Sequence, residues 1–147
     1  YMVNNTKDAV NFINHILTDK TQEEFYVICI ENNNLIKKYE LLSKGIVNST
    51  EVYVRKLTEI VFGANVSNVI ICHNHPDGVA KPSANDDVIT KAVVMALSVN
   101  NINLLDHIIV TNDNYYSYNL EGKIKKYYNE ISDLINFRTV MQEIKYN

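Results

Sequence analysis

Apolar residues recur along the chain with two different periods, and the periods alternate. A spacing of three to four residues is typical of amphipathic helices. It occurs at residues 7–17, 51–64, 84–99 and 121–145. Short runs rich in β-branched and aromatic residues are typical of strands. They occupy residues 25–30, 35–42, 69–72, 108–110 and 115–118. The pattern therefore predicts four helices and five strands.

The order of these elements predicts the fold class. Asparagines at 32–34 form a turn that joins the first two strands in a hairpin. Prolines and a glycine at 76–82 predict an irregular loop after the strand at 69–72, which we expect to be central. The order α-β-β-α-β-α-β-β-α predicts an α/β fold, a mixed β-sheet flanked by helices, in a single domain over residues 1–147.

The apolar positions of the last two helices predict which faces are buried. In the helix at 84–99, the residues available for burial are Val88, Ala92, Met95 and Leu97. In the last helix, an apolar stripe runs over residues 124–141. We expect this stripe to pack on the domain, with a contact in a homodimer as the alternative.

Composition limits the compartment and the partners. The chain has 147 residues, of which 46% are hydrophobic, and a formal net charge of −3. Two cysteines, Cys29 and Cys72, are too few for a disulfide scaffold, and no apolar run is long enough to span a membrane. We therefore expect a cytoplasmic protein without a membrane partner.

Nucleic acid is a weaker expectation. The negative net charge gives no general attraction for DNA, although a local basic patch could still bind it. Ten tyrosines could stack on bases, but only two arginines, Arg55 and Arg138, accompany them. Packing within the protein is the better interpretation of the tyrosines.

The candidate chemistry lies between the central strand and the helix that follows it. His73 and His75 are two residues apart at the end of the strand, so their side chains point to the same side and Asn74 points away. Asp86 opens the next helix and could supply a carboxylate. Two imidazoles and a carboxylate are a donor set for zinc that leaves a coordination position for water.

Each of these residues also has an ordinary interpretation. Ser83 and Asp86 match a helix-capping pattern that needs no metal. Cys72 is predicted to face away from the histidines as a buried, inert thiol. His107, which follows Asp106 at the start of a strand, is interpreted as a structural hydrogen-bonding residue, or as a residue that supports a metal ligand.

The same segment resembles a known family. His73-x-His75, seven residues, Ser83, two residues and Asp86 resemble the signature of JAMM (MPN+) metalloproteins. The fuller string His-Asn-His-Pro-x-Gly-x-x-x-Pro-Ser-x-x-Asp resembles the RadC branch, and the resemblance extends over about residues 23–122. It implies a JAMM/MPN-like, cytidine-deaminase-like domain, with residues 123–147 as a C-terminal helical extension.

The resemblance also implies a role for each matching position. His73, His75 and Asp86 would bind Zn²⁺, and Ser83 would hydrogen-bond the water or stabilise the oxyanion. A glutamate at the head of the first strand would act as the general base. Glu23 occupies that position, but adjacent strand residues face opposite sides and Glu24 remains the alternative.

The implied function is hydrolysis of a peptide or isopeptide amide bond in an unknown protein or peptide substrate. The alternative is a non-catalytic or DNA-repair-associated module that uses the metal for stability or for partner binding. The sequence departs from the RadC pattern at Asp77, where serine is common, and at Ala80, where proline is common. The helix-hairpin-helix region that usually precedes such domains, associated with DNA binding, is not present in this sequence.

Overall fold

The computed structural model describes residues 1–45 and 50–141, with side chains described except at 50–52 and 135–141. The elements in this part of the chain are α1 (Thr6–Leu17), β1 (Glu24–Ile30), β2 (Ile36–Lys44), α2 (Thr50–Ala64), β3 (Asn68–Asn74), α3 (Ala84–Ser98), β4 (Asn103–Val110), β5 (Tyr115–Ser117) and α4 (Lys123–Met141). Their order confirms the predicted succession of helices and strands. Residues 45–49, which the sequence also predicts to form a loop, lie outside the described residues apart from Gly45.

The five strands form one mixed sheet in the order β2-β1-β3-β4-β5. β1 is antiparallel to both β2 and β3, β3 is parallel to β4, and β5 is antiparallel to β4. A parallel pair needs a crossover, and α3 supplies it between β3 and β4. As a result, the end of β3, the end of β4 and the beginning of β1 meet at one edge of the sheet.

Each face of the sheet carries its own apolar core. One core lies between the sheet and the helices α2, α3 and α4, and the other lies between the sheet and α1. Along β3, Val69 and Ile71 belong to the first core, whereas Ile70 and Cys72 belong to the second. The two-residue period of a strand thus turns His73 towards α2 and α3. It also turns Cys72 away from His73, as predicted.

The predicted buried face of α3 was partly wrong. Val88 and Met95 are 53% and 43% exposed, and Ala92 is only partly buried. The helix instead buries a stripe that begins with two polar residues, Asp86 and Thr90, and continues through apolar ones. These are Ile89, Val93, Val94 and Leu97. Asp86 and Thr90 are held by hydrogen bonds rather than by apolar contacts, so hydrophobicity did not reveal which way the helix faces.

The last helix begins after Gly122, whose φ of +75° favours glycine. Ile124, Tyr127 and Ile131 of α4 are buried in the first core, so this part of the stripe packs on the domain as expected. The predicted end of the helix at 145 lies outside the described residues. Among the helices that the structure describes, none has both the length and the apolar character that a membrane crossing requires.

Candidate metal centre

Four side chains that could bind a metal ion converge at this edge of the sheet. One ligand atom from each of Glu23, His73, His75 and Asp86 lies within 4.8 Å of the others. Glu23 immediately precedes β1, the histidines lie at the end of β3, and Asp86 lies in the first turn of α3. The structure therefore brings together the three predicted metal ligands and the predicted general base.

The two histidines present the same ring atom to a common point. Their Nε2 atoms are 3.0 Å apart, and the Nδ1 of His75 lies 2.8 Å from the carbonyl oxygen of Val79. Because a carbonyl can only accept, His75 donates from Nδ1 and its Nε2 remains available. The ring of His73 is fully buried and stacks on Phe25, with ring centroids 4.0 Å apart. Burial lowers the pKa of His73, which favours the neutral form that binds metals.

Asp86 bridges the pair of histidines. Its Oδ1 is 3.3 Å from the Nε2 of His73, and its Oδ2 is 3.2 Å from the Nε2 of His75. Burial alone would raise the pKa of Asp86, but its close contacts with the two histidines hold that pKa well below its usual range. The contact with the Asp86 carboxylate in turn raises the pKa of His75. Asp86 is therefore an ionised carboxylate at neutral pH.

Ser83 is the N-cap of α3 and fixes the orientation of Asp86. The Ser83 Oγ accepts a hydrogen bond from the backbone N–H of Asp86 at 3.1 Å, and the Asp86 Oδ2 accepts one from the backbone N–H of Ser83 at 2.9 Å. This reciprocal capping box is the ordinary interpretation of the motif, and it coexists with the metal-site geometry. The Ser83 side chain is exposed.

Of the two neighbouring glutamates, only Glu23 belongs to the cluster. Its Oε1 is 3.7 Å from the Nε2 of His73. Glu24 is buried, and its Oε1 accepts a hydrogen bond from Tyr26 at 3.0 Å. Burial raises the pKa of Glu23, and the charge of the nearby Asp86 raises it further, whereas His75 lowers it. The alternation of side chains along β1 thus separates two residues that the sequence left as alternatives.

Asn74 is a residue whose contribution the sequence analysis missed. Its side chain points away from the histidines, as expected, but it holds the chain on both sides of Glu23. The Oδ1 of Asn74 accepts a hydrogen bond from the backbone N–H of Glu24 at 2.7 Å, and its Nδ2 donates to the carbonyl oxygen of Gln22 at 3.0 Å. The one available signal was its position between the two histidines.

His107 reaches the site from β4. Its Nε2 lies 2.9 Å from the Nδ1 of His73, and its Nδ1 lies 2.6 Å from the Oγ1 of Thr90. Its ring is fully buried and stacks on Tyr118 with centroids 4.7 Å apart and planes 6° apart. Burial holds the pKa of His107 well below its usual value. The interpretation of His107 as a hydrogen-bonding residue therefore agrees with these contacts, one of which is to a candidate metal ligand.

The loop between the histidines and Ser83 is held by its own polar groups. Gly78 has a φ of +86°, and its backbone N–H donates to the carbonyl oxygen of His75 at 3.1 Å. The Oδ1 of Asp77 accepts a hydrogen bond from the backbone N–H of Val79 at 3.0 Å. Asp77, one of the two departures from the RadC pattern, thus supports the turn that places the carbonyl of Val79 against His75.

The fold and the site together define an α/β domain with a candidate metal centre at the end of its central strand. The chain belongs to the family of RadC-like JAB domains, whose family model matches residues 3–123. The resemblance drawn from the histidine motif is thereby confirmed. Most of α4 lies beyond the matched residues.

Similar curated proteins carry an uninformative name. A UPF0758 protein of Flavobacterium johnsoniae is 35% identical over 120 residues, which cover 82% of this chain and 52% of the relative. A UPF0758 protein of Pseudoalteromonas translucida is 40% identical over 103 residues, which cover 70% of this chain and 46% of the relative. The chain thus spans about half the length of the curated relatives that it matches.

Proposed function

We propose that this domain is a zinc-dependent hydrolase that cleaves an amide bond of a peptide or isopeptide. The observation that carries the proposal is the convergence of Glu23, His73, His75 and Asp86 within 4.8 Å. Membership of the RadC-like JAB family supports it, because some JAMM proteins are hydrolases of this kind. The carboxylates of Glu23 and Asp86 also complement the charge of a divalent cation.

The donor set fits zinc. Tetrahedral zinc with ligand bonds of about 2.0–2.1 Å separates its ligand atoms by roughly 3.3 Å. The Nε2 atoms of His73 and His75 are 3.0 Å apart, and each approaches a different oxygen of Asp86, His73 the Oδ1 at 3.3 Å and His75 the Oδ2 at 3.2 Å. These three residues would hold the ion. When bound, zinc would lower the pKa of a water molecule and polarise the substrate carbonyl.

The chain's own residues would move the protons. Glu23 would take a proton from the attacking water as the new C–O bond forms. It would then give this proton to the leaving amine as the C–N bond breaks, which returns Glu23 to its carboxylate form. The Ser83 hydroxyl uses a lone pair to cap α3, so its hydrogen can be donated to the carbonyl oxygen of the substrate.

The site is open on the side where a substrate would approach. The side chains of Glu23 and His75 are 34% and 13% exposed. A separate cavity of about 230 Å³ borders His75 and Asn74 on the α1 side of the sheet, and none of Glu23, His73, Ser83 and Asp86 lines it.

A matched pair of variants tests the proposal. Glu23→Gln removes the base while keeping its shape, and we expect kcat to fall by about 10²- to 10⁴-fold in a screen of peptide and isopeptide substrates. The zinc content should remain near one per chain, measured by plasma emission spectrometry. Glu24→Gln is the control, since glutamine can still accept the hydrogen bond of Tyr26, and it should retain activity.

Two outcomes would count against the proposal. A wild-type protein that binds no zinc would remove the metal centre altogether. A zinc-loaded wild-type protein that cleaves none of the substrates would favour the non-catalytic module, with the metal serving stability or partner binding. A salt-dependent DNA titration then tests whether that partner is nucleic acid.

A further inference from the structure

A continuous chain of buried hydrogen bonds leads from one candidate metal ligand to another. The Nδ1 of His73 lies 2.9 Å from the Nε2 of His107, and the Nδ1 of His107 lies 2.6 Å from the Oγ1 of Thr90. The Oγ1 of Thr90 in turn lies 2.7 Å from the backbone carbonyl oxygen of Asp86. His73, His107 and Thr90 are all fully buried, so no solvent competes for these contacts.

The contact between Thr90 and the carbonyl of Asp86 sets the direction of all the hydrogen bonds in this series. A backbone carbonyl can only accept, so Thr90 uses its single hydrogen on Asp86. Thr90 must then accept from the Nδ1–H of His107, which leaves the Nε2 of a neutral His107 with a lone pair. That lone pair accepts the Nδ1–H of His73. The Nε2 of His73, the atom that faces the cluster, is consequently left unprotonated.

We propose that His107 and Thr90 are positioning residues that hold His73 in the Nδ1–H tautomer and so present its Nε2 to the metal. The inference rests on the metal site of the proposed function and deepens it. His75 reaches the same tautomer more simply, through the carbonyl of Val79. An imidazole such as His107 can donate or accept at either nitrogen, so it fixes a tautomer only when its own far side is fixed.

This series of hydrogen bonds opposes the effect of the Asp86 carboxylate on the tautomer of His73. The ionised carboxylate of Asp86, 3.3 Å from the Nε2 of His73, would attract a proton to that nitrogen and block metal binding. In that arrangement the two hydrogen bonds of His107 would run in reverse, and the third would be lost, because the hydroxyl of Thr90 would leave the carbonyl of Asp86. The hydroxyl of Thr90 therefore decides between the two tautomers, although it does not touch the metal position itself.

Zinc affinity, measured by competition with a chromophoric chelator, tests the inference. Thr90→Val keeps the shape of the side chain but removes the hydroxyl, and we expect zinc to bind about 10- to 100-fold more weakly. Thr90→Ser restores the hydroxyl and should bind zinc within about threefold of wild type. His107→Phe keeps a ring over Tyr118 but cannot accept from His73, and it should lose affinity as Thr90→Val does.

Thr58→Val is the matched control. Thr58 lies in α2, and its Oγ1 donates to the carbonyl oxygen of Val54 at 2.8 Å, the same type of bond without a histidine beside it. This variant should bind zinc as wild type does. If Thr90→Val and His107→Phe bound zinc as tightly as wild type, the inference would be overturned while the proposed metal site stood.

A spectroscopic measurement keeps the test independent of metal binding. Long-range ¹H–¹⁵N spectra of the metal-free wild type distinguish protonated from unprotonated ring nitrogens. We expect His73 and His107 to be protonated at Nδ1, and Thr90→Val to move protonation of His73 towards Nε2. A wild-type His73 protonated at Nε2 would overturn the inference. If wild type bound no zinc at all, the proposed function would fail, and these spectra would still decide the tautomer.

Discussion

Asn74 fastens the segment that carries Glu23 to the end of β3. Its amide bonds to the backbone on both sides of Glu23, at Gln22 and Glu24. A carboxylate that must reach one water molecule is sensitive to displacements of about 1 Å, which can cost roughly 10²-fold in rate. The position of Glu23 therefore depends on Asn74, which takes no part in the proposed reaction.

We predict that Asn74→Ala lowers kcat/KM at least about tenfold while the zinc content stays near one per chain. The ligands His73, His75 and Asp86 are untouched, whereas the backbone around Glu23 loses the two hydrogen bonds of Asn74 and keeps the one from the backbone N–H of Gly45 to the Glu23 carbonyl oxygen. Asn68→Ala at the opposite end of β3 is the control, since the Asn68 side chain hydrogen-bonds to the side chains of two exposed residues, Asn32 and Asn103, far from Glu23. Equal activity of the Asn74 and Asn68 variants would contradict this role for Asn74.

At the scale of single residues, the motif was readable because it is local. His73, His75, Ser83 and Asp86 lie in one short stretch of sequence, so strand periodicity and helix capping predicted how they face. Glu23 could not be separated from Glu24 in the same way. Which of them reaches the cluster depends on the pairing of Phe25 with His73 across two strands, which is a long-range property of the sheet.

Ser83, the N-cap of α3, combines a structural role with a proposed chemical one. The hydroxyl caps the helix, and we propose that it also donates to the substrate. Glycine is a tolerated N-cap that costs only a few tenths of a kcal/mol, whereas alanine costs about 1 kcal/mol. The two substitutions therefore separate capping from catalysis.

We expect Ser83→Gly and Ser83→Ala to reduce kcat by similar factors, about 10²- to 10³-fold, because both remove the donor. Thermal unfolding should distinguish them, with the alanine variant the less stable. Should Ser83→Gly retain full kcat, Ser83 would be a cap only.

Asp106 joins β4 to the segment that follows β5. Its carboxylate accepts hydrogen bonds from the hydroxyl of Ser117 at 2.6 Å and from the backbone N–H of Asn119 at 2.9 Å. Burial raises the pKa of Asp106 to about 6, although these hydrogen bonds oppose the shift. The folded protein therefore binds a proton at Asp106 more tightly than the unfolded chain does.

The sign of the resulting pH dependence follows from linkage. Between about pH 4 and pH 6 the folded state holds more protons at this site, so the free energy of unfolding falls as pH rises through that window. We predict a loss of roughly 1–3 kcal/mol from this group. Chemical denaturation at several pH values should show this decline in wild type and a shallower one in Asp106→Asn. Parallel curves would exclude Asp106 as its source.

At the scale of elements, the errors of the sequence analysis fall at buried polar residues. Strand β4 begins at Asn103, well before the predicted residue 108, and the early part contains buried Asp106 and His107. The predicted face of α3 overlooked Asp86 and Thr90 for the same reason. These groups are buried because they are hydrogen-bonded to partners distant in sequence, and hydrophobic periodicity cannot detect such partners.

Zinc binding should raise the stability of the folded domain as a whole. A ligand that binds only the folded state stabilises it by about 2.7 kcal/mol when its concentration is 100 times Kd. For a domain of this size we expect zinc at that concentration to raise Tm by about 5–10 °C. The class of fold was predictable from the order of elements, but this coupling depends on the folded β3–α3 unit, which brings His73, His75 and Asp86 together.

Two histidine variants test the coupling by thermal unfolding with and without zinc. His75→Ala should lose the rise in Tm, because it removes a ligand whose side chain is 13% exposed. His15→Ala, an exposed position on α1, should keep the full rise. An equal rise in both variants would place the zinc somewhere other than the cluster.

The candidate ligands and the base occupy separate parts of the chain. His73, His75 and Asp86 belong to the β3–α3 unit, whereas Glu23 arrives only because β1 pairs with β3. On the proposed function, ion binding and turnover would therefore be separable properties of this domain. A homologue in which only Glu23 is replaced would then still bind zinc but would not catalyse hydrolysis. Its histidine motif alone would not distinguish it from an active enzyme.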